Sequence, residues 1–302
     1  MLRLINRWLL PIAMLVGIVL HPWIGVLSPY IPALLFVMLF ITFCRISPRD
    51  LHFRKLHVLM LAVQLALSVL VYLALRPTSP ILAQGAMICL LVPSATASPV
   101  ITGLLGGDLS ASTSYLFSSN LVAAVAAPLF FSAIAQFDPG NGTEAGFFES
   151  SLVIGAKLFP ILLLPLICAW LTRLVLPRMH TWITGKTIFS LYLWSCSLAV
   201  VTGTTVNFIL NQENPDYRLE LSLALAALLI CIATFFTGKL LGRLFHEPIS
   251  CGQSLGQKNT VLAIWMALTF LHPLASVAPA SYVLWQNLFN SWQIWRKHKK
   301  HT

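Results

Sequence analysis

Charge is what this chain has least of. Only 9% of its 302 residues are Asp, Glu, Lys or Arg, against about a quarter in an ordinary soluble domain. That deficit excludes a water-exposed globular surface. The cysteines carry no pattern either. Cys44, Cys89, Cys168, Cys196, Cys231 and Cys251 lie in or beside apolar runs, without CxxC or CxxH spacing, so neither a zinc site nor a disulfide framework is indicated. HExxH, GxSxG and Walker sequences are absent, and no pair of carboxylates falls inside an apolar run. This removes the common hydrolytic enzymes and ATP-driven pumps, and no cofactor motif takes their place.

What the chain does have is hydrophobicity, at 58% of residues with a mean hydropathy of +0.83. Apolar runs between polar or Pro/Gly breaks predict spans near 8–25, 29–44, 57–75, 80–104 and 110–136. A second set follows near 151–176, 187–210, 220–242, 251–271 and 275–295. The expectation is therefore an all-α polytopic membrane protein of ten transmembrane helices, not an enzyme. Arg3, Arg7 and the run from Trp8 imitate a signal peptide. No small-x-small cleavage site follows, and His21-Pro22-Trp23 leads into the next run, so this segment is the expected first span.

A net charge of +10 would point to nucleic acid in a soluble protein, but here the cations sit between apolar runs and read as topology signals. With the N-terminus cytoplasmic, one side holds both termini, Arg45 to Lys55, Arg173 to Lys186, Lys239 and Arg243. The other side holds only Arg76 and Arg218, while Lys157 and Lys258 fall within spans. A bacterial inner (plasma) membrane with both termini cytoplasmic is the expected location, with the lipid bilayer and no nucleic acid as partner. The basic stretches at Arg45 to Lys55 and Arg296 to Lys300 suit anionic headgroups.

The longest polar connection, Asp138 to Ser150, falls at the midpoint. It divides the chain into a first repeat (1–137, spans 1–5), a loop (138–150) and a second repeat (151–302, spans 6–10). An odd number of spans per half inserts the second half upside down, which is the inverted-repeat plan of secondary transporters. Two spans at matching places in the halves are poor helices. The fourth carries Pro93-Ser94-Ala95-Thr96-Ala97-Ser98-Pro99 and should unwind near 93–99. The ninth carries Gly252-Gln253-Ser254-Leu255-Gly256-Gln257-Lys258-Asn259-Thr260 and should break near 252–257. Broken backbone at membrane depth is tolerated only where protein or a water-filled cavity satisfies it, so the pair marks the expected binding site.

Lys258 is the sharpest single residue. A cation at a helix centre costs on the order of 2.5–3.5 kcal/mol, and no Asp or Glu lies well within any span. Three arrangements stay open: the amine is uncharged, it bonds hydroxyls, amides and unwound carbonyls such as those of the fourth span, or it meets an anionic substrate. Lys157, nearer a span end, is expected to snorkel. Gln64, Gln286, Asn287 and the Ser/Thr-rich start of the fifth span suit interhelical hydrogen bonding and packing as well as they suit ligand contact. The Asn141-Gly142-Thr143 sequon matters only in a secretory pathway.

The stretch PSATASPVITGLLGGDLSASTSYLFSSNLVAAVAAPL resembles the fourth and fifth helices of the sodium/bile acid symporter family. GQKNTVLA followed by HPLASVAPASYVLWQNLFNSW resembles its ninth and tenth. The resemblance implies a panel domain from spans 1, 2, 6 and 7, and a core domain from spans 3–5 and 8–10 in which the broken helices 4 and 9 cross. It also implies alternating-access transport of a bile acid or another small organic anion, a carboxylate or sulfonate, with sodium as the usual coupling ion.

Carried over by position, the family's broken-helix serine-asparagine pair falls on Ser98 and Pro99, which loses the asparagine. A fifth-helix serine falls on Ser112, and a nearby threonine on Leu116. The third-helix glutamine matches Gln64. The sodium-coordinating glutamate falls on Ser254 and the glutamine four residues later on Lys258, while Asn259 agrees. The expected substrate- or ion-binding set is Gln64, Thr96, Ser98, Ser112, Ser254, Gln257, Lys258 and Asn259, with no certain metal site. A missing carboxylate and an added ammonium disfavour sodium. The candidate coupling is therefore a tethered cation, Lys258 in place of sodium, or a proton carried by Lys258. An exporter of the arsenite or auxin-carrier type and a transporter-like sensor are the competing readings. The first lacks an evident metalloid site, and the second would ordinarily bring a soluble signalling domain.

Overall fold

The computed structural model describes residues 2–47, 51–137, 146–185, 187–212 and 215–299. Among them every regular element is a helix, and no strand forms. The first half contains α1 (Leu2–Val19), α2 (His21–Ile24), a 3-10 turn (Gly25–Tyr30), α3 (Ile31–Cys44), α4 (Lys55–Leu75), α5 (Pro80–Leu91), α6 (Ser98–Leu105) and α7 (Leu109–Phe137). The second half contains α8 (Phe147–Leu162), α9 (Leu164–Val175), α10 (Pro177–Thr184), α11 (Thr187–Leu210), α12 (Tyr217–Arg243), α13 (Pro248–Gly256), α14 (Thr260–Phe270), a 3-10 turn (Pro273–Ser276) and α15 (Val277–Lys299).

Helices dominate because a backbone in lipid must satisfy its own hydrogen bonds. Where a helix restarts after a break, proline opens it, as in α5, α6, α9, α10 and α13. Its missing N–H costs nothing in a first turn. Ser79, Asp216 and Asn259 cap α5, α12 and α14 through their side chains. Outward faces stay apolar, with Leu15, Leu70, Val125, Leu152, Leu229 and Phe236 all exposed. Six stretches are long and apolar enough to cross a membrane: His21–Cys44, Lys55–Leu75, Leu109–Gln136, Phe147–Val175, Tyr192–Leu210 and Tyr217–Arg243. The protein is a helical membrane protein. At the other four expected spans lie α1, the pair α5 and α6, the pair α13 and α14, and α15.

Helix α1 packs on α11, and α3 on α8, α9 and α11. Helix α4 packs on α5 and α7, α12 on α5, α13 and α15, and α7 on α6, α8 and α13. The span containing α8 and α9 breaks at Leu163, two residues before Pro165.

Two expectations need correction. The fourth span is interrupted at 92–97 rather than 93–99, because Ser98 and Pro99 already belong to the first turn of α6. The ninth breaks at 257–259, not 252–257. Gly252 and Gly256 are helical, and their missing side chains admit α12. A Cβ on Gly252 would meet the Lys239 stem at 2.6 Å, and one on Gly256 would collide with the Phe235 ring. The sequon at 141–143, most of the midpoint loop, and Arg49, Lys186 and Lys300 lie outside the described residues.

Candidate functional site

Helix α5 ends because Pro93 follows. The residue before a proline is pushed out of the helical region, and Val92 accordingly sits at φ −59°, ψ 143°. In the second half Gln257 is extended at φ −88°, ψ 119°. The two unwound segments run antiparallel and pair at Ser94 and Lys258. Asn259 N–H donates to the Pro93 carbonyl at 3.0 Å, and Ala95 N–H to the Gln257 carbonyl at 3.0 Å. Each break thus satisfies backbone groups that the other has freed, which is what burial of irregular backbone requires.

Three carbonyls at the end of α5 need other donors. The Lys258 ammonium, only 1% exposed, donates to Leu90 O at 2.8 Å and Val92 O at 3.3 Å. The Gln64 amide donates to Leu91 O at 3.0 Å and Val92 O at 3.2 Å. Tyr115 hydroxyl donates to Gln64 Oε1 at 2.5 Å, which leaves the Gln64 amide nitrogen facing the carbonyls. Lys258 N–H donates to Gln286 Oε1 at 3.0 Å. The Lys258 amine thus sits at the C-terminus of α5, the negative end of its peptide dipoles, and among the described residues no carboxylate pairs with it. Among the described residues the ion pairs lie elsewhere, where Arg54 bridges Asp108 and Glu247. No described group of three His, Cys, Asp or Glu side chains could hold a metal ion.

One turn away lies a buried cluster of hydroxyls. Thr102 donates to Ser112 Oγ at 3.2 Å and Ser254 donates to it at 3.0 Å. A hydroxyl has two acceptor sites and one proton, so Ser112 is left to donate to Ser98, 3.0 Å away. Both lone pairs of Ser112 are then occupied by protein donors. Ser94 N–H donates to Ser119 Oγ at 3.1 Å, tying the fourth-span break to α7.

The structure brings Gln64, Lys258 and Asn259 to the crossing, and Ser98, Ser112 and Ser254 to the hydroxyl cluster. Gln257 is adjacent, its amide donating to Gln253 Oε1 at 2.5 Å. Thr96 stands apart; it is half-buried and joins none of these hydrogen bonds. Asn259 caps α14 by accepting from Leu262 N–H at 3.3 Å. Its amide nitrogen, with Ser94 Oγ, Gln253 Nε2 and Thr260 Oγ1, is buried without a protein partner. Unpaired buried polar atoms are costly and collect where a ligand or water is bound. Lys157 is exposed, its ammonium 6.0 Å from the Phe270 ring centroid.

Sequence reasoning left Thr102, Tyr115, Gln253 and Thr260 out of the expected binding set, although Gln253 and Thr260 lie in the ninth-span stretch that it singled out. Tyr115 lies three residues beyond Ser112 on the same helical face, a signal that was available. The others become visible only once the breaks are placed.

A model described as the Sodium Bile acid symporter family matches residues 32–240. No curated protein matches the chain.

Proposed function

The chain belongs to the sodium bile acid symporter family, and from that premise we propose that it carries a small organic anion with Lys258 standing where a coupling sodium ion would otherwise bind. The family is one of transmembrane transporters. The observation that carries the finer reading is the Lys258 ammonium, buried and bonded to the Leu90 and Val92 carbonyls. These carbonyls, freed by the break that follows α5, are hard oxygen donors of the kind that sodium takes. A free cation placed about 4 Å from the ammonium would be repelled by about 4 kcal/mol at an effective dielectric near 20. The serine at 254 removes the carboxylate that would offset that repulsion. A proton carried on the same amine is the other coupling that this position allows.

The reading includes two inverted repeats, 1–137 and 151–302. A panel of spans 1, 2, 6 and 7 faces a core of spans 3–5 and 8–10. Packing of α1 on α11 and of α3 on α9 supports the panel, since exchanging the halves converts one pairing into the other. Packing of α4 on α5 and of α12 on α13 supports the core in the same way. Movement of core against panel would expose the crossing, with its unpaired Asn259 and Thr260 groups, to each side in turn. The substrate class is a carboxylate or sulfonate, bile acid-like or smaller. The excess of cations on one side of the expected spans supports cytoplasmic termini and a bacterial inner-membrane location.

Uptake into proteoliposomes tests this across a panel of labelled organic carboxylates and sulfonates, under a sodium gradient, a proton gradient or neither. At least one anion should accumulate, without needing sodium, and accumulation should collapse in Lys258→Met. Sodium-driven uptake that is indifferent to the lysine would defeat the proposal.

A further inference from the structure

A second concentration of positive charge lies away from the crossing, at the end where α12 and α15 finish. A cavity of about 460 Å³ opens there between α6, α12, α13 and α15, within the usual size range of small-molecule sites. Leu105, Ile249 and Trp292 form its apolar lining, and Lys239, Arg296 and Lys297 supply three cations. The cations are braced by aromatic rings and backbone. The Arg296 guanidinium lies 5.4 Å from the Trp292 ring centroid and the Lys239 ammonium 5.3 Å from that of Phe289. Lys297 donates to the Leu104 carbonyl at 3.0 Å, capping α6.

Among the described residues none of the three cations pairs with a carboxylate; Asp108 and Glu247, which follow Leu105 and precede Pro248 in sequence, pair with Arg54 instead. Gln293 also lines the cavity, and its amide nitrogen is buried with no acceptor. Three like charges and an orphaned donor around one concavity call for an anion with several acceptor oxygens. The neighbouring surface is apolar, with Leu104 58%, Trp292 45% and Trp295 59% exposed. In a bilayer those side chains face acyl chains, and tryptophan favours the headgroup level.

We propose that this cavity binds the phosphodiester headgroup of an anionic phospholipid, whose acyl chains lie along the Leu104 and Trp295 surface. The site draws on residues of α6 and α13, which are halves of the two broken spans, so an occupied cavity would tie their outer ends to α12 and α15. The pairing of cations with an exposed apolar wall is what distinguishes a lipid from a free phosphate.

Native mass spectrometry of the delipidated full chain tests the proposal, using phosphatidylglycerol and phosphatidylcholine of matched chains as probes, with and without millimolar inorganic phosphate. Phosphatidylglycerol should be retained over phosphatidylcholine and should resist the phosphate. Its retention should fall about fivefold for each cation removed, so that Arg296→Gln alone shows a drop and Lys239→Gln/Arg296→Gln/Lys297→Gln a much larger one. Arg45→Gln/Arg173→Gln, at a separate basic cavity, should leave retention unchanged. Equal retention of the two lipids, displacement by inorganic phosphate, or indifference to Arg296→Gln would overturn it.

Discussion

Lys258 and His272 are two ionisable residues whose surroundings follow from where the chain places them. For Lys258 the sequence already showed a cation inside an apolar run with no acid to meet it. It left three arrangements open for the amine, one of them a bond to hydroxyls, amides or unwound carbonyls such as those of the fourth span. That Leu90 and Val92 are the acceptors, and that Gln64 shares the same cluster, depended on a crossing that no local pattern encodes. His272 drew no notice in the sequence. It lies outside the spans, between α14 and the following 3-10 turn, with Nδ1 accepting from Leu274 N–H at 3.3 Å and its ring edge-on to Phe208. Burial pushes the imidazole below its usual value of 6.5, so the folded chain prefers it neutral. A histidine with a lowered folded pKa adds stability that is complete above about pH 6.5 and lost as pH falls toward the lowered value. Thermal unfolding in detergent should show the melting temperature falling below that pH. His272→Asn, which keeps a cap acceptor, should have a flatter profile over the same window. Identical slopes for the two proteins would refute the assignment.

Helices α5, α6, α13 and α14 show what an element-level pattern can reveal and what it cannot. Prolines announce their effect locally, so the fourth-span break was legible to within a residue or two. Glycines do not, because the same residue serves a kink or a close approach. In α13 it serves approach, and the break falls one step later, at the amides. The hydroxyl cluster was equally hidden as a unit. Its members come from α6, α7 and α13, and only the assembled packing shows that Ser112 is their hub. The close approach has a measurable consequence. A Cβ on Gly238 would collide with the Cys251 carbonyl oxygen, and one on Gly256 with the Phe235 ring, while one on Gly25 meets nothing within 4 Å. Gly238→Ala and Gly256→Ala should each destabilise by about 1–3 kcal/mol, with Gly25→Ala within about 0.5 kcal/mol of the parent. Detergent melting curves would decide it, and an unaffected Gly238→Ala would show that α12 and α13 do not pack so closely.

For the whole molecule, membrane character, helix-only architecture and transporter family were legible, because hydrophobicity and charge placement are read by the bilayer before any tertiary contact forms. Which helices gather around which was not legible. Outward faces along the spans are largely apolar, and helix association in lipid turns on small residues and buried polar atoms rather than on hydrophobicity. The central claim is that one tethered ammonium has taken over from a coupling ion at the crossing. Installing the residues that the resemblance puts at these two positions tests it most directly, by comparing sodium-gradient-driven uptake in proteoliposomes for the parent chain and for Ser254→Glu/Lys258→Gln. The account predicts that the parent ignores the sodium gradient and that the double variant comes to depend on it. A parent that already requires sodium, with the double variant no different, would contradict it.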